Sequence, residues 1–331
     1  MEEAQFYKRE KNSSISCLLC RRKCTISEGK TGFCRVRQNI IGKLYSLNYG
    51  KIIASHTDPI EKKPLYHFYP GSHVFSISTL GCNFSCDHCQ NPDISQNWRA
   101  ISGVEKEPEE ISQIALRNKA QGIAYTYTEP TIFFEYAYDC AKIAKKQKLF
   151  NIFVTNGYMS DECIKKMKGV INASNVDLKA FNEKFYNNIC GGIELGGVLK
   201  SIKALHKIQH IELTTLLIPG LNDSKDEIIA LSKWVKKLDK NIPLHFNAYF
   251  PANRMTIHLT SEETVIKARE IALEEGLNYV YTGNIKYSEG SNTFCPKCKN
   301  AVVKRFGNYT ENYLKNEKCQ ECGNKINIIT K

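Results

Sequence analysis

Between residues 72 and 283 the chain alternates short β-rich runs with longer amphipathic stretches, and this alternation limits the possible folds. The predicted strands are Val74–Thr79, Ile123–Thr128, Asn151–Thr155, Ala173–Leu178, Ile211–Ile218, Leu244–Phe250 and a seventh at Tyr279–Thr282. The predicted helices are Glu107–Gln121, Thr131–Lys148, Lys225–Lys240 and Ser261–Glu275. Unbroken strand–helix–strand succession requires parallel pairing through right-handed crossovers. The pattern therefore predicts an α/β fold, either a full or partial TIM-like barrel or a doubly wound sheet.

Fourteen cysteines are many for 331 residues, and eleven of them fall into three groups. The groups are Cys17, Cys20, Cys24 and Cys34; then Cys82, Cys86 and Cys89; then Cys295, Cys298, Cys319 and Cys322. Residues 1–11 lack the apolar core of a secretory signal, and no apolar run approaches the roughly 18 residues of a membrane span. We therefore expect a cytoplasmic protein with no membrane contact, in which clustered thiols hold metal rather than form disulfides.

The middle group forms a C-x3-C-x2-C run directly after the first predicted strand. Three thiolates so close together can bind three irons of a cubane cluster and leave the fourth iron without a protein ligand. An open coordination position makes a metal site reactive instead of structural. The alternative reading of this spacing is a zinc knuckle that takes His88 as its fourth ligand.

Polar residues follow the predicted strands one after another, at the ends where βα loops of a barrel converge on ligands. They are Glu129, Asn156, Asp177, Lys179 and, on the sixth predicted strand, His245 and Asn247. Each taken singly could be an ordinary surface or capping residue. Their recurrence at successive strand ends favours one shared site.

The cysteine run, with the aromatic His88 before its third cysteine, resembles the radical S-adenosylmethionine (SAM) superfamily. The resemblance implies that Cys82, Cys86 and Cys89 hold a [4Fe–4S] cluster whose open iron chelates SAM, and that reductive cleavage gives a 5'-deoxyadenosyl radical. It further implies that Glu129 accepts hydrogen bonds from the methionine ammonium, although Tyr127-Thr128 replace the usual glycines there. It implies SAM or peptide contacts for four residues and an adenine contact for a fifth: Asn156, Asp177, Lys179, His245 and His88.

The chain is also similar to one subfamily, the AmmeMemoRadiSam-system radical SAM enzymes, relatives of the pyruvate formate-lyase activating enzymes. The matching segments include Gly32-Phe33-Cys34-Arg35-Val36-Arg37, Asp58-Pro59-Ile60-Glu61-Lys62-Lys63-Pro64-Leu65-Tyr66-His67 and Tyr125-Thr126-Tyr127. This resemblance implies a partial (β/α)6 TIM-like barrel, a protein or peptide substrate and an electron donor of ferredoxin or flavodoxin type.

The last cysteine group consists of two C-x2-C pairs twenty residues apart, the arrangement of a zinc ribbon. Four thiolates close a tetrahedral shell, so we expect a structural zinc; a rubredoxin-like iron, an auxiliary cluster or no metal are the alternatives. The first group, C-x2-C-x3-C-x9-C, suits zinc or an auxiliary [4Fe–4S] cluster equally well. The remaining Cys140, Cys163 and Cys190 are predicted to be buried small hydrophobic residues.

These features predict three domains: a Cys-rich segment at 1–71, a radical SAM partial barrel at 72–290 and a ribbon at 291–331. The first segment should contain a hairpin at Leu44–Ala54 that turns at Asn48 to Gly50. The formal charge of +12 raises RNA modification as a rival function. Metal-bound thiolates would lower that charge to about +7, and we favour a solvated basic face over nucleic-acid contact. A non-catalytic metal-binding protein is a further rival from another class.

Overall fold

The computed structural model describes residues 1–286, 289–307 and 309–330, and its strands and helices follow the predicted alternation. The strands are β1 (Glu2–Glu3), β2 (Tyr7–Arg9), β3 (Ile15–Cys17), β4 (Thr25–Ile26), β5 (Arg37–Ile40), β6 (Lys43–Ser46), β7 (Lys51–Ile52), β8 (Ala54–Pro59), β9 (His73–Ser78), β10 (Val104–Glu105), β11 (Gly122–Tyr125), β12 (Phe150–Thr155), β13 (Ala173–Asp177), β14 (His210–Leu217), β15 (Leu244–Ala248), β16 (Val280–Gly283), β17 (Thr293–Phe294), β18 (Ala301–Phe306) and β19 (Tyr309–Asn312). The α-helices are α1 (Pro92–Ser95), α2 (Pro108–Arg117), α3 (Phe134–Lys146), α4 (Asp161–Met167), α5 (Glu183–Asn188), α6 (Leu195–His206), α7 (Lys225–Asp239) and α8 (Glu262–Glu274).

The central sheet has the strand order β16-β15-β14-β13-β12-β11-β9-β8. From β9 to β16 every neighbouring pair is parallel, and β8 lies antiparallel on the edge beside β9. A doubly wound sheet would reverse its strand order at a switch point, whereas this order never reverses. The fold is therefore the α/β partial barrel that the sequence predicts. All seven predicted strands are present, with ends within three residues of the prediction.

Helix starts follow local capping chemistry. Before α2, Glu107 and Glu110 form a reciprocal capping box, and Pro108 occupies the first helical position. Ser224 and Ser261 cap α7 and α8 with their hydroxyl oxygens. The predicted helix Thr131–Lys148 begins as a 3-10 turn, Pro130–Phe133, before α3. None of the described helices is long and apolar enough to cross a membrane.

The predicted hairpin at Leu44–Ala54 is wrong. The hairpin consists of β5 and β6, which turn at Ile41 and Gly42, both in the left-handed region. Asn48 is buried and donates to Thr79 Oγ1 (2.8 Å) and the Leu80 carbonyl (3.1 Å), so the residue predicted to turn instead ties this segment to the end of β9. β8 follows directly and pairs with β9 over six residue pairs, so the central sheet extends into the predicted first domain.

Residues 60–69 close the amino-terminal end of the barrel. The buried Glu212 carboxylate at the start of β14 accepts from the backbone N–H groups of Tyr66 (2.9 Å) and His67 (2.6 Å). His67 also joins this floor to the carboxyl-terminal segment, because its ring contacts the Asn327 carbonyl and the Tyr281 hydroxyl, both at 2.5 Å. The β17–β18–β19 sheet packs on the same face of the barrel through Tyr279 and Tyr281.

His67 gives the fold a predicted pH dependence. Burial lowers its pKa to about 3 from an ordinary 6.5, so the folded state binds fewer protons than the unfolded chain between those values. The free energy of unfolding should therefore fall as pH drops through that window, by about 1.4 kcal/mol per pH unit from this residue. Replacing it by glutamine, His67→Gln, should remove that part of the slope.

Urea unfolding at about pH 7 and about pH 5.5 measures the effect. The exposed His258 offers the control: His258→Gln should keep the wild-type slope. Identical slopes for His67→Gln and the wild type would contradict the assignment.

Candidate active site

The cysteine loop leaves β9 through Gly81, which has φ +101°. A Cβ at this position would come within 2.8 Å of Val36 Cγ1 and 3.0 Å of the Cys34 carbonyl oxygen. Glycine is therefore required both for the left-handed backbone and for the close approach of the amino-terminal segment. The loop is consequently pressed between that segment and the barrel.

One cavity of about 360 Å³ lies at the carboxyl ends of the parallel strands. Its lining comes from the loop after β9 and from the ends of the later strands as far as β16; it includes Cys82, Cys86, His88, Cys89, Glu129, Asn156, Asp177, Lys179, Asn247 and Asn284. All three thiols of the middle group thus face the same space as most of the side chains predicted from the strand ends.

Other parts of the chain hold the loop in place. Arg254 donates from Nε to Asp87 Oδ1 (2.9 Å) and from a terminal nitrogen to the Ser85 carbonyl (3.0 Å). The Ser85 and Asp87 backbone N–H groups donate to the carbonyls of Cys190 (3.2 Å) and Ile189 (2.9 Å). Asp87, which had no role in the sequence analysis, is therefore an anchor of the loop.

Glu129 is buried and accepts several hydrogen bonds. Its Oε1 accepts from the Thr131 backbone N–H (3.0 Å), the Thr131 hydroxyl (2.5 Å) and the Thr155 hydroxyl (2.7 Å), and its Oε2 accepts from the Asn156 N–H (2.8 Å). Burial raises the pKa of Glu129, and these donors oppose the rise. A carboxylate oxygen has two lone pairs, so Oε2 retains capacity for a ligand donor.

Asn156 and His88 both line the cavity together with the thiols. The Asn156 amide nitrogen is 3.9 Å from Cys82 Sγ and donates to Asn83 Oδ1 at 2.7 Å. Burial lowers the pKa of His88 to about 3, with a smaller contribution from Lys179, so its ring is neutral. Its buried Nδ1 has no hydrogen-bond partner within the described chain, which leaves it available to a bound molecule.

Asp177 and Lys179 form an ion pair at the carboxyl end of β13, with 2.9 Å between Asp177 Oδ2 and Lys179 Nζ. Burial alone would lower the pKa of Lys179, but Asp177 and the neighbouring Cys86 and Cys190 thiols raise it well above its ordinary value. The ammonium group stays charged beside the cysteine loop.

His245 is not part of the cavity, so its predicted ligand contact is wrong for this structure. Its Nε2 lies 2.7 Å from Glu212 Oε2, and its ring stacks on Tyr281 at 5.0 Å between centroids. On the same strand Asn247 does line the cavity. Asn247 lies two residues beyond His245 along the strand, a distance of roughly 6.6 Å. His245 is therefore at the barrel floor, and Asn247 is at the height of the cavity.

Sequence reasoning missed a polar group at the cavity, formed by Lys63 and Tyr127, which line it, and by Asp58, which both of them contact. Lys63 Nζ and the Tyr127 hydroxyl lie 2.9 and 3.0 Å from Asp58 Oδ2, and the ammonium sits 4.7 Å above the Tyr127 ring. Burial opposes ionisation of Asp58, but Lys63 lowers its pKa to about 2. Tyr127 has φ +64°, which costs roughly 1–2 kcal/mol for a non-glycine residue. Tyr127 stands where the superfamily that the sequence resembles has a glycine. This replacement was the one sequence signal that could have indicated the polar group.

The carboxyl-terminal cysteines converge as predicted. In the described part of the chain, Cys295, Cys298, Cys319 and Cys322 form the group whose ligand atoms all lie within 4.8 Å of one another. The two C-x2-C turns match: the N–H groups of Lys299 and Gly323 donate to the carbonyls of Cys295 and Cys319, each at 2.9 Å. This quartet can bind a metal ion.

The four amino-terminal cysteines line a separate enclosed cavity. The lone Cys140, Cys163 and Cys190 are buried, as predicted.

Comparison with known proteins identifies the family. The model of the radical SAM superfamily matches residues 76–232. Uncharacterized protein MJ0808 of Methanocaldococcus jannaschii is 41% identical over 336 residues, covering 99% of this chain and 100% of that protein. The chain belongs to the radical SAM superfamily. The pyruvate formate-lyase-activating enzyme of Streptococcus mutans is 26% identical over 182 residues, which are 51% of this chain and 67% of that enzyme.

Among solved structures, SuiB of Streptococcus suis bound to S-adenosylmethionine has a TM-score of 0.52 at 14% identity, covering 72% of this chain and 56% of SuiB. At that identity the likeness shows the radical SAM fold alone. Membership of the superfamily implies SAM and a [4Fe–4S] cluster. The cavity fits both, because it combines three thiols, the neutral His88 with its unpartnered Nδ1 and the buried Glu129 carboxylate.

The Glu129 contacts make a testable prediction for stability. In Glu129→Gln, an amide NH2 must face either the Asn156 N–H or the Thr131 and Thr155 donors. The amide NH2 of the variant and the donor opposite it then lack an acceptor. This loss should lower the free energy of unfolding by about 1–3 kcal/mol.

Urea unfolding of anaerobically purified protein measures this loss. The control is Glu274→Gln at an exposed position of α8, which should stay within about 0.5 kcal/mol of the wild type. Equal stability of the two variants would show that the Glu129 hydrogen bonds are not formed.

Proposed function

We propose that this chain cleaves SAM reductively at a [4Fe–4S] cluster held by Cys82, Cys86 and Cys89, and abstracts hydrogen from a protein or peptide, as an activating enzyme does. The observation that carries the proposal is the convergence of these three thiols, Glu129 and the unpartnered His88 nitrogen on one cavity at the carboxyl ends of the strands. The similarity to an activating enzyme supports the substrate class.

When bound, the cluster and SAM supply one-electron cleavage of a carbon–sulfur bond and a 5'-deoxyadenosyl radical. The protein's contribution is binding and orientation. Glu129 Oε2 would accept from the ammonium group of the methionine moiety, and the neutral His88 ring would contact the adenine. The Lys179 ammonium, held by Asp177, would supply positive charge to the anionic cluster and the SAM carboxylate.

The wall formed by Asp58, Lys63 and Tyr127 borders the space left for the substrate. The carboxylate, ammonium and phenol already satisfy one another at 2.9–3.0 Å, so this wall is polar without carrying an unpaired charge. Lys62 lies beside it at the cavity lining and is half exposed. The ammonium groups of Lys62 and Lys63 each carry further N–H donors that can bind peptide carbonyl oxygens. An electron donor of ferredoxin or flavodoxin type completes the system.

The ribbon gives little support to RNA modification, the rival function that the +12 charge suggested. Arg305, a basic residue of the ribbon, is buried: it donates to the Tyr66 carbonyl (2.7 Å) and the Ser291 carbonyl (2.8 Å). A buried guanidinium cannot neutralise a phosphate. We therefore favour the peptide substrate, and a salt-sensitive gel shift with cellular RNA would argue against that choice.

The carboxyl-terminal quartet is proposed to hold a structural zinc. Its sulfur pairs Cys295–Cys322 and Cys298–Cys319 are both 3.6 Å apart, close to the roughly 3.8 Å that tetrahedral 2.3 Å bonds require. Burial would raise the pKa of Cys295, but backbone N–H groups of Cys298 and Lys297 lower it, which favours its thiolate form. We also propose the division into 1–71, 72–290 and 291–331, with β8 of the first segment forming the edge of the barrel sheet.

Loss of one cluster ligand tests the function. Cys89→Ala should reduce 5'-deoxyadenosine formation to the background of enzyme-free controls, because two thiolates cannot retain the cluster. Product is measured by chromatography after anaerobic incubation with SAM and dithionite.

The matched control is Cys140→Ala, a buried cysteine within α3, which should retain product formation. Product from Cys89→Ala at the wild-type rate would overturn the cluster assignment, and no product from the wild type would overturn the function.

Loss of one ribbon ligand should act on stability instead. Cys319→Ala should lose about one zinc per chain and about 2 kcal/mol or more of stability, since the ribbon packs on Tyr279 and Tyr281 of the barrel. Metal analysis and urea unfolding measure both effects. The exposed Lys297→Ala should change neither. Full stability without zinc would contradict a structural metal.

A further inference from the structure

The four amino-terminal cysteines, Cys17, Cys20, Cys24 and Cys34, line one small cavity that is distinct from the active-site cavity. Three polar side chains share its lining with them: Arg22, Arg37 and Asn83. Two of these three belong to the amino-terminal segment itself. The third, Asn83, belongs to the cysteine loop of the active site.

The hydrogen-bond acceptors that each metal site offers distinguish the two metals that the sequence left open. A structural zinc is bound by four thiolates alone, as proposed for the carboxyl-terminal quartet. A cubane cluster adds bridging sulfides, which accept hydrogen bonds from nearby N–H groups. Buried donors without a protein partner in this cavity therefore favour the cluster.

Two unpartnered donors give independent evidence for an anionic occupant. Arg37 and Asn83 are each 1% exposed, and Arg37 Nε and Asn83 Nδ2 have no hydrogen-bond partner among the described residues. The other Arg37 nitrogens bind Glu135 at 2.8 and 3.0 Å. A buried donor without a partner costs about 1–3 kcal/mol, and N–H groups of this kind commonly donate to the sulfurs of iron–sulfur clusters. A zinc ion offers no sulfide acceptors.

The second cavity also adjoins the first. Arg22 donates from Nε to the Asn83 carbonyl and from a terminal nitrogen to the Gly191 carbonyl, both at 2.5 Å. Asn83 directly follows Cys82 and accepts from Asn156 at its Oδ1. A single residue of the active-site loop therefore links the lining of the two thiol sites.

We propose that Cys17, Cys20, Cys24 and Cys34 hold a second [4Fe–4S] cluster, which passes electrons to the cluster at Cys82, Cys86 and Cys89. This inference rests on the proposed function. All four irons would have protein ligands, so no position is open to SAM or substrate. In each turnover a ferredoxin- or flavodoxin-type donor reduces the second cluster by one electron. That cluster is then reoxidised as it reduces the active-site cluster by the same electron.

The first experiment uses the full chain with Cys82→Ala, Cys86→Ala and Cys89→Ala combined, which leaves the amino-terminal group untouched. After anaerobic reconstitution we expect about four irons and four sulfides per chain, together with one zinc. The reduced protein should show an EPR signal that SAM does not change. Absence of iron with a second zinc bound would overturn the proposal, even where the wild type still makes 5'-deoxyadenosine.

The second experiment tests electron transfer in the wild type and in Cys24→Ser. We measure 5'-deoxyadenosine formed with reduced flavodoxin and with dithionite, and compare the ratio of the two rates. The ratio should fall by about tenfold or more in Cys24→Ser, and its iron content should fall by about half. Cys140→Ala should keep the wild-type ratio and iron content. An unchanged ratio in Cys24→Ser despite the lost iron would overturn the relay role.

Discussion

The active site depends on the confinement of one loop, the turn that carries Cys82, Cys86 and Cys89. The left-handed Gly81 allows the loop to lie against Val36 and the Cys34 carbonyl. The opposite side is held by Arg254 and by the backbone near Cys190. Three closely spaced thiolates can form a reactive centre only if their loop neither collapses nor recruits a fourth ligand. The surrounding contacts hold the loop through the protein's own residues, which is what a preorganised site requires.

The barrel floor is the second constraint. Glu212 accepts from two backbone N–H groups of residues 60–69 and contacts the rings of His210 and His245. A buried carboxylate is tolerated only when its oxygens are satisfied in this way. The network closes the amino-terminal end of the barrel. The same segment carries Lys63, which contacts Asp58 and Tyr127. The polar wall of the cavity and the docking of the ribbon through His67 and Tyr281 therefore depend on the same buried contacts.

Much of the fold follows from the sequence because the strands of a parallel sheet are buried on both faces and alternate with amphipathic helices. The strand-end residues Glu129, Asn156, Asp177 and Lys179 were found by the same logic, since parallel strands share one ligand-binding edge. His245 was misassigned because period-two alternation gives the face of a residue and not its depth. Lys63 and its partner Asp58 escaped notice because both precede the first strand of the predicted βα repeat. The hairpin at Leu44–Ala54 failed because Asn48 is recruited by Thr79, a contact between segments that local turn rules cannot foresee.

The central claim is that one iron of a cluster held by Cys82, Cys86 and Cys89 is open to SAM. The most direct measurement is the EPR spectrum of the anaerobically reduced Cys24→Ser variant, recorded with and without SAM, since only the active-site cluster should then be reduced and visible. The account predicts a [4Fe–4S] signal whose g-values change when SAM is added. A signal that SAM leaves unchanged, or zinc in place of iron at these three thiols, would contradict it.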